Sequence, residues 1–403
     1  MAVGLEAAVG LKPVAGVRLG TAASGIRYPD RTDLALVELA AGSTCAATFT
    51  RNAFMAAPVI LAKEHLATSA TRFWLINSGN ANAATGEPGL EDARSTCAMV
   101  ADECGVEAGS VLPFSTGVIG ERMPLDAFEH GIRVATADLS EHGWDEAAKA
   151  IMTTDTLPKG GSRSLEVGGK AVTMTGIVKG AGMIRPDMAT MLAFVATDAA
   201  VAQNTLDACL REAVEGSFNR VTIDGDTSTN DACVLAATGG SGAALTTAED
   251  IAAFQCALND LTLELAQGLV RDGEGASKFI CVDVDGGHNI KECLAVAYTV
   301  AHSPLVKTAL FASDPNWGRI VMAIGRAGVA DLDVSGVNVF LGDVCIVRGG
   351  GRADTYTESA GQAEMDAEEI TIRIELDRGT SRDCVWTSDL SHDYVTINAE
   401  YRT

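Results

Sequence analysis

The sequence is poor in the residues that carry most hydrolytic and metal chemistry. It has 6 histidines in 403 residues, and no two have zinc-ligand spacing. Ser391, His392 and Asp393 are adjacent in the chain, which is not how a Ser-His-Asp triad is assembled, and no GxSxG elbow occurs. Conventional serine and metal hydrolysis therefore find little support. The 10 cysteines form no CxxC pair and sit mostly among apolar neighbours, as in TDACVLAA. Buried reduced thiols of a cytoplasmic protein are expected, not a disulfide frame or a metal site. Basic residues are also scarce, 30 against 53 acidic ones, for a net charge of -23. Long-range repulsion then argues against nucleic acid and anionic membranes as partners. It does not exclude a small substrate held in a locally basic site. No apolar run approaches membrane-spanning length. The start, MAVGLEAAVGLKPVAGVRLG, lacks a basic opening, carries Glu6 in its first apolar run, and does not read as a secretory signal.

Aromatics are few (4 Trp, 5 Tyr, 11 Phe), whereas glycine reaches 42. The length allows a large core in two or three lobes. ALVEL, APVILA, RFWLINS and KAVTMTGIV alternate with turn residues and read as strands. EDARSTCAMVADEC places Ala93, Cys97, Val100 and Cys104 on one helical face. Thr246 to Val270 opens on TTAED, a helix start, and continues with helical apolar spacing. LPKGGSRSLEVGGK (Leu157 to Lys170) reads as a surface loop or hairpin. Strands and helices are interspersed without a strict βαβ rhythm, so the fold class expected is a layered α/β sandwich of mixed sheets and helices. No internal repeat is visible.

Three polar motifs fail on inspection. DGDTSTND, Asp224 to Asp231, starts like a calcium loop, but Thr229 stands where glycine is needed and Leu235 where a bidentate Glu is needed. A polar turn lining a pocket, with its carboxylates and hydroxyls bonding to backbone, is the better reading. VGGKAV has Ser164 in place of the first phosphate-loop glycine and Ala171 in place of the magnesium-binding hydroxyl. NSGNANAATG lacks dinucleotide spacing. Its amides either bind a substrate or, as the leading reading, satisfy their own backbone.

One stretch carries chemistry of another kind. In KGAGMIRPDMATMLAFVATDA a glycine loop runs to Thr190 at the mouth of an apolar strand. A threonine hydroxyl needs a base to become a nucleophile. No histidine is nearby, and Asp187, three residues upstream, is not assured of contact. Cutting the peptide bond between Ala189 and Thr190 would supply one, because a free α-amine has a pKa of roughly 8 and sits on the same residue. From this stretch alone, an ordinary strand threonine is the stronger reading.

KGAGMIRPDMATML resembles the cleavage site of the ornithine acetyltransferases of arginine biosynthesis, the ArgJ family. RNAFMAAPV, NSGNANAATG, STGVIGERMP, AIMTTDT, SFNRVTIDGDTSTND, RDGEGASKF, DPNWGRI and HDYVTINAEYRT follow as family-like blocks in order, over essentially the whole chain. The resemblance implies a fold like that of the DmpA-type self-processing aminopeptidases, with N-terminal-nucleophile chemistry. It implies self-cleavage into an α chain, 1–189, and a β chain, 190–403, assembled as an α2β2 heterotetramer. It implies a ping-pong reaction in which Thr190 takes acetyl from N2-acetylornithine and gives it to glutamate. Acetyl-CoA is a further donor in some members; no other cofactor and no metal is expected. The competing readings are a self-processing amidase or aminopeptidase, and a noncatalytic amino-acid-binding protein.

By the same resemblance, Thr116 and Gly117 form the oxyanion hole, which suits a hydroxyl and an unobstructed N–H. The bland alternative is a turn before a helix starting near Glu121. Lys179 is expected to meet the α-carboxylate shared by both amino acids, or else to be a solvated loop lysine. Thr153 is a substrate-binding threonine, or a helix-to-loop cap. Glu274, between two glycines, is expected to face a substrate ammonium. Asn398 and Thr403 complete the substrate ligands from a C-terminal segment whose alternation, VTINAEYRT, reads as a strand.

Overall fold

The structure, a computed structural model, describes residues 2–185 and 191–400. The chain divides into two compact units. The larger spans 6–219 and 226–269; the smaller is built from the residues up to Leu5, Arg220–Gly225, and the chain from Val270 onward.

The larger unit is a four-layered sandwich. One sheet orders the strands Val17–Ala22, Leu34–Leu39, Phe73–Asn77 and Val111–Ser115; the last is parallel to its neighbour and the others antiparallel. The second orders Thr44–Phe49, Ala232–Ala237, Leu192–Thr197, Lys170–Lys179 and Lys159–Val167, with one parallel pair at its centre. The strands Leu192–Thr197 and Ala232–Ala237 are buried at every position, as continuous apolar runs demand when both faces are covered. Between the sheets Phe194 meets Trp74 and Phe114, at ring separations of 5.7 and 5.1 Å. The outer face of the first sheet is covered by the helices Gly86–Cys104 and Leu125–Ala137. The second sheet is covered by Gln203–Gly216 and by Ala248–Arg271, whose residues through Leu269 belong to this unit. The expected mixed α/β layering is what the chain forms.

In the smaller unit a seven-stranded mixed sheet has Glu369–Glu375, Phe279–Gly287 and Ser381–Ser388 side by side. Glu369–Glu375 alternates between exposed or half-exposed and buried positions. Its inward side chains pack with the helices Ile290–Ala301 and Trp317–Gly325.

Leu157 to Lys170 is the expected hairpin: Lys159–Val167 pairs with Lys170–Lys179 across Gly168 and Gly169, both at positive φ as a two-residue turn of this kind requires. Three expectations need correction. APVILA opens the helix Ala57–Thr68, not a strand; Pro58 lies in its first turn, where a missing N–H costs nothing. The C-terminal VTINAE lies in the helix His392–Glu400, started by a bond from Tyr394 N to Ser391 Oγ at 3.3 Å. The helix expected near Glu121 begins at Leu125. All ten cysteines are free thiols; Cys45, Cys97, Cys209, Cys233 and Cys293 are buried and Cys256 is exposed. Among the described residues no single helix is long and apolar enough to cross a membrane.

Candidate active site

In the larger unit the site starts where the buried strand Val111–Ser115 ends. Thr116 N donates to Asn77 O at 3.0 Å and Val118 N to Gly79 O at 3.2 Å. Gly117 lies between them at φ +129°. A side chain there would put its Cβ 2.3 Å from the Gly79 carbonyl carbon, so the turn closes only with glycine. The Gly117 N–H donates to no described residue, although the amides on either side are both committed.

The asparagines of NSGNANAATG build this turn. Asn77 Nδ2 donates to Asn80 O, Asn80 Nδ2 to Arg122 O at 3.0 Å, and Asn82 Nδ2 to Gly89 O, all from buried side chains. Asn230, from the DGDTSTND turn, donates to Ala81 O at 2.6 Å and to Ser115 O at 2.8 Å. The asparagine amides of both polar motifs therefore satisfy backbone carbonyls, the leading reading for NSGNANAATG. Among the described residues no three His, Cys, Asp or Glu side chains are grouped as a metal would need.

Lys179 is the last residue of Lys170–Lys179 and is half-buried, not a loop lysine. Its Nζ donates to Thr116 Oγ1 at 3.1 Å. An ammonium has only donors, so it occupies an acceptor position on the hydroxyl and leaves the hydroxyl proton to be given elsewhere. Thr116 O–H and Gly117 N–H, on consecutive residues, are thus both donors without a described acceptor.

Thr153 follows the helix Trp144–Ala150, and Arg31 Nη2 donates to its carbonyl at 3.1 Å. Its own N–H donates to Asp155 Oδ2 at 2.8 Å. Asp155 Oδ1 accepts from Lys159 Nζ at 2.6 Å and from Gly180 N at 2.7 Å. Burial pushes this carboxyl up, but the Lys159 and Lys179 ammonium groups and its donors more than offset that, and it is held well below the usual carboxylate range. Sequence reasoning missed Asp155. It stands in the MTTDT block, and nothing there separates a buried carboxylate from a capping one.

The chain leaving Lys179 re-enters the same sheet at Leu192, its register partner on the adjacent antiparallel strand. The expected cleavage position lies in this connection; Ala189 and Thr190, like Thr403, are outside the described residues.

In the smaller unit the structure brings together Glu274 and Asn398. Asn398 Nδ2 donates to Glu274 Oε2 at 2.7 Å and to Tyr394 O at 2.9 Å. Gly275, at φ +67°, lets the start of His392–Glu400 approach: a Cβ there would lie 2.6 Å from Tyr394 N. The glycine beside Glu274 thus has a packing reason of its own. Tyr394 Oη donates to Asp224 Oδ2 at 3.3 Å.

The sequence model of the ArgJ family matches residues 18–403. The chain belongs to the ArgJ family. It is 57% identical over 408 residues to the arginine biosynthesis bifunctional protein ArgJ of Pseudomonas fluorescens, with all of each chain covered. It is 55% identical over 395 residues to the protein of the same name from Methylococcus capsulatus, covering 98% of this chain and 97% of that one. Among solved structures it is similar to ArgJ from Bacillus halodurans, 38% identical with a TM-score of 0.50; the match covers 53% of this chain and all of that one. Family membership thus rests on the whole length, and the blocks holding Thr116, Gly117, Thr153, Lys179, Glu274 and Asn398 all fall within the matched span.

Proposed function

We propose that this protein is a self-cleaving glutamate N-acetyltransferase of arginine biosynthesis, moving acetyl from N2-acetylornithine to glutamate. The observation that carries the reading is the Lys179–Thr116–Gly117 arrangement in a chain that matches the bifunctional ArgJ proteins end to end. In the first step the Thr190 hydroxyl attacks the Ala189 carbonyl, the acyl group passes from nitrogen to oxygen, and water hydrolyses the ester. This frees the Thr190 amine and the Ala189 carboxylate. In transfer, that amine takes the hydroxyl proton as Thr190 Oγ1 attacks the acetyl carbonyl of N2-acetylornithine. The oxyanion is met by Thr116 O–H and Gly117 N–H, and collapse returns the proton to the leaving ornithine amine. Glutamate then attacks the acetyl ester and leaves as N-acetylglutamate. Lys179 and Thr153, with Thr403, Glu274 and Asn398, bind the amino-acid ends of the substrates. Acetyl-CoA serves as a second donor, which fits the word bifunctional in the relatives' names. The two chains, 1–189 and 190–403, stay together in the cytoplasm as an α2β2 assembly.

Two observations support the cut. A solved family chain matched along its whole length corresponds to only 53% of this one, the size of a processed half. The five-stranded sheet draws strands from both sides of position 189, so a broken connection would leave the pieces held by shared ladders. Replacing Thr190 by Ala tests the reading. The wild type is expected to run as two fragments and to make N-acetylglutamate only when glutamate is supplied. The variant should run intact near 41.7 kDa and be inactive. Full transfer by Thr190→Ala would overturn it, and acetate release without glutamate would make the protein an amidase.

A further inference from the structure

We infer that Asp155 is a positioning residue for this transfer site: one buried carboxylate sets the place of Thr153, of Lys179 and of Gly180, the first residue of the connection that leads to the cut. The inference rests on the function proposed above.

Two observations set Asp155 apart from a merely structural ion pair. First, its oxygens are spent on the site. Oδ2 takes the amide of Thr153, and Oδ1 takes the amide of Gly180, the residue directly after Lys179, as well as Lys159 Nζ. Gly180 stands at φ +147°, where a side chain is strained, and it opens the connection that contains Thr190. Second, the charge reaches Lys179 itself, which in turn holds Thr116 Oγ1. A buried pair costs desolvation and is a poor way to gain stability. Here it links three residues that sequence separates, Thr116, Thr153 and Lys179. A misplacement of about 1 Å in such a frame can cost on the order of 100-fold in rate.

The test uses the full-length chain. Asp155→Asn combined with Lys159→Met removes both members of the buried pair together, so neither is left as an unpaired buried charge. Circular dichroism and a melting curve check the fold. The folded double variant should cleave itself at least ten-fold more slowly than the wild type. Its kcat should fall and its KM for both amino acids should rise. Should the double variant not fold, Asp155→Glu keeps the charge, and with it the partner of Lys159, but displaces the carboxylate; the same slow cleavage and lowered kcat are expected. Cleavage rate, kcat and KM all within two-fold of wild type in a folded variant would overturn the inference and leave Asp155 a structural residue. A wild type that neither cleaves nor transfers would instead overturn the proposed function.

Discussion

Lys159 in the larger unit and Lys307 in the smaller one are equally deep, at 3% and 4% exposure, yet their surroundings differ in kind. Lys159 has a carboxylate oxygen of Asp155 at 2.6 Å. Lys307 donates to the Thr387 hydroxyl at 3.0 Å and to the Ser388 carbonyl, both neutral. Asp389 and Asp224 act on it only through space. Asp389 is already engaged, accepting from Ser277 N, Ser277 Oγ and Lys278 N. Burial therefore dominates and pulls the Lys307 ammonium down to about 8, with the two carboxylates opposing. The contrast teaches that contact with a carboxylate, more than depth, decides whether a buried cation is compensated. The compensated pair is the one beside the proposed active site.

The largest effect expected from breaking this comparison is that of Lys159→Met. It would leave the Asp155 carboxylate buried without its nearest cation, at a cost of about 3–5 kcal/mol near neutral pH. The urea midpoint of the larger unit reads this. Because the folded carboxyl lies below its unfolded value, its contribution is present above the ordinary carboxylate range and is lost as pH falls through the folded value. The deficit should therefore shrink in acid. A variant as stable as the wild type at neutral pH would show that the pair contributes no more than Lys307 does.

Lys307 should behave in the opposite sense. Its folded value, about 8, lies below the ordinary lysine value, so the unfolded chain binds more protons between pH 8 and about 10.4. The cost of burying the charge is fully present below pH 8, and stability should rise with pH across that window by about 3 kcal/mol in total. Lys307→Met should abolish the rise, as read by urea titrations through the window. A rise that persists in the variant would assign it to another group.

How far these features could be read from the sequence follows the same division. The helix Gly86–Cys104 was legible because Ala93, Cys97 and Val100 repeat at helical spacing and are buried. The strand Leu192–Thr197 was legible as an apolar run. APVILA was misread because apolarity without period does not separate strand from helix; Pro58 was the overlooked signal. The C-terminal helix was misread because alternating β-branched residues outweighed a serine able to receive an early helical amide. Family resemblance singled out Thr116, Gly117 and Lys179, and the structure adds that they are in contact or adjacent. Asp155 was not legible, since its role comes from depth and from amides contributed by Thr153 and Gly180, which are set by the fold.

The smallest effect expected is the most discriminating. Thr387→Val keeps the shape of a fully buried side chain and deletes the hydroxyl that receives Lys307 Nζ. If neutral acceptors are what keep the charged form of Lys307 tolerable, the variant should lose about 1 kcal/mol near pH 7. The loss should fade as pH rises past about 8, because the neutral amine needs that acceptor less. The pH at which stability starts to climb should also move down. A loss that stays constant from pH 7 to 10 would mean that the hydroxyl serves packing or backbone instead. The contrast with Lys159 would then rest on the distant carboxylates alone, and Lys307→Met and Thr387→Val would no longer share a pH dependence.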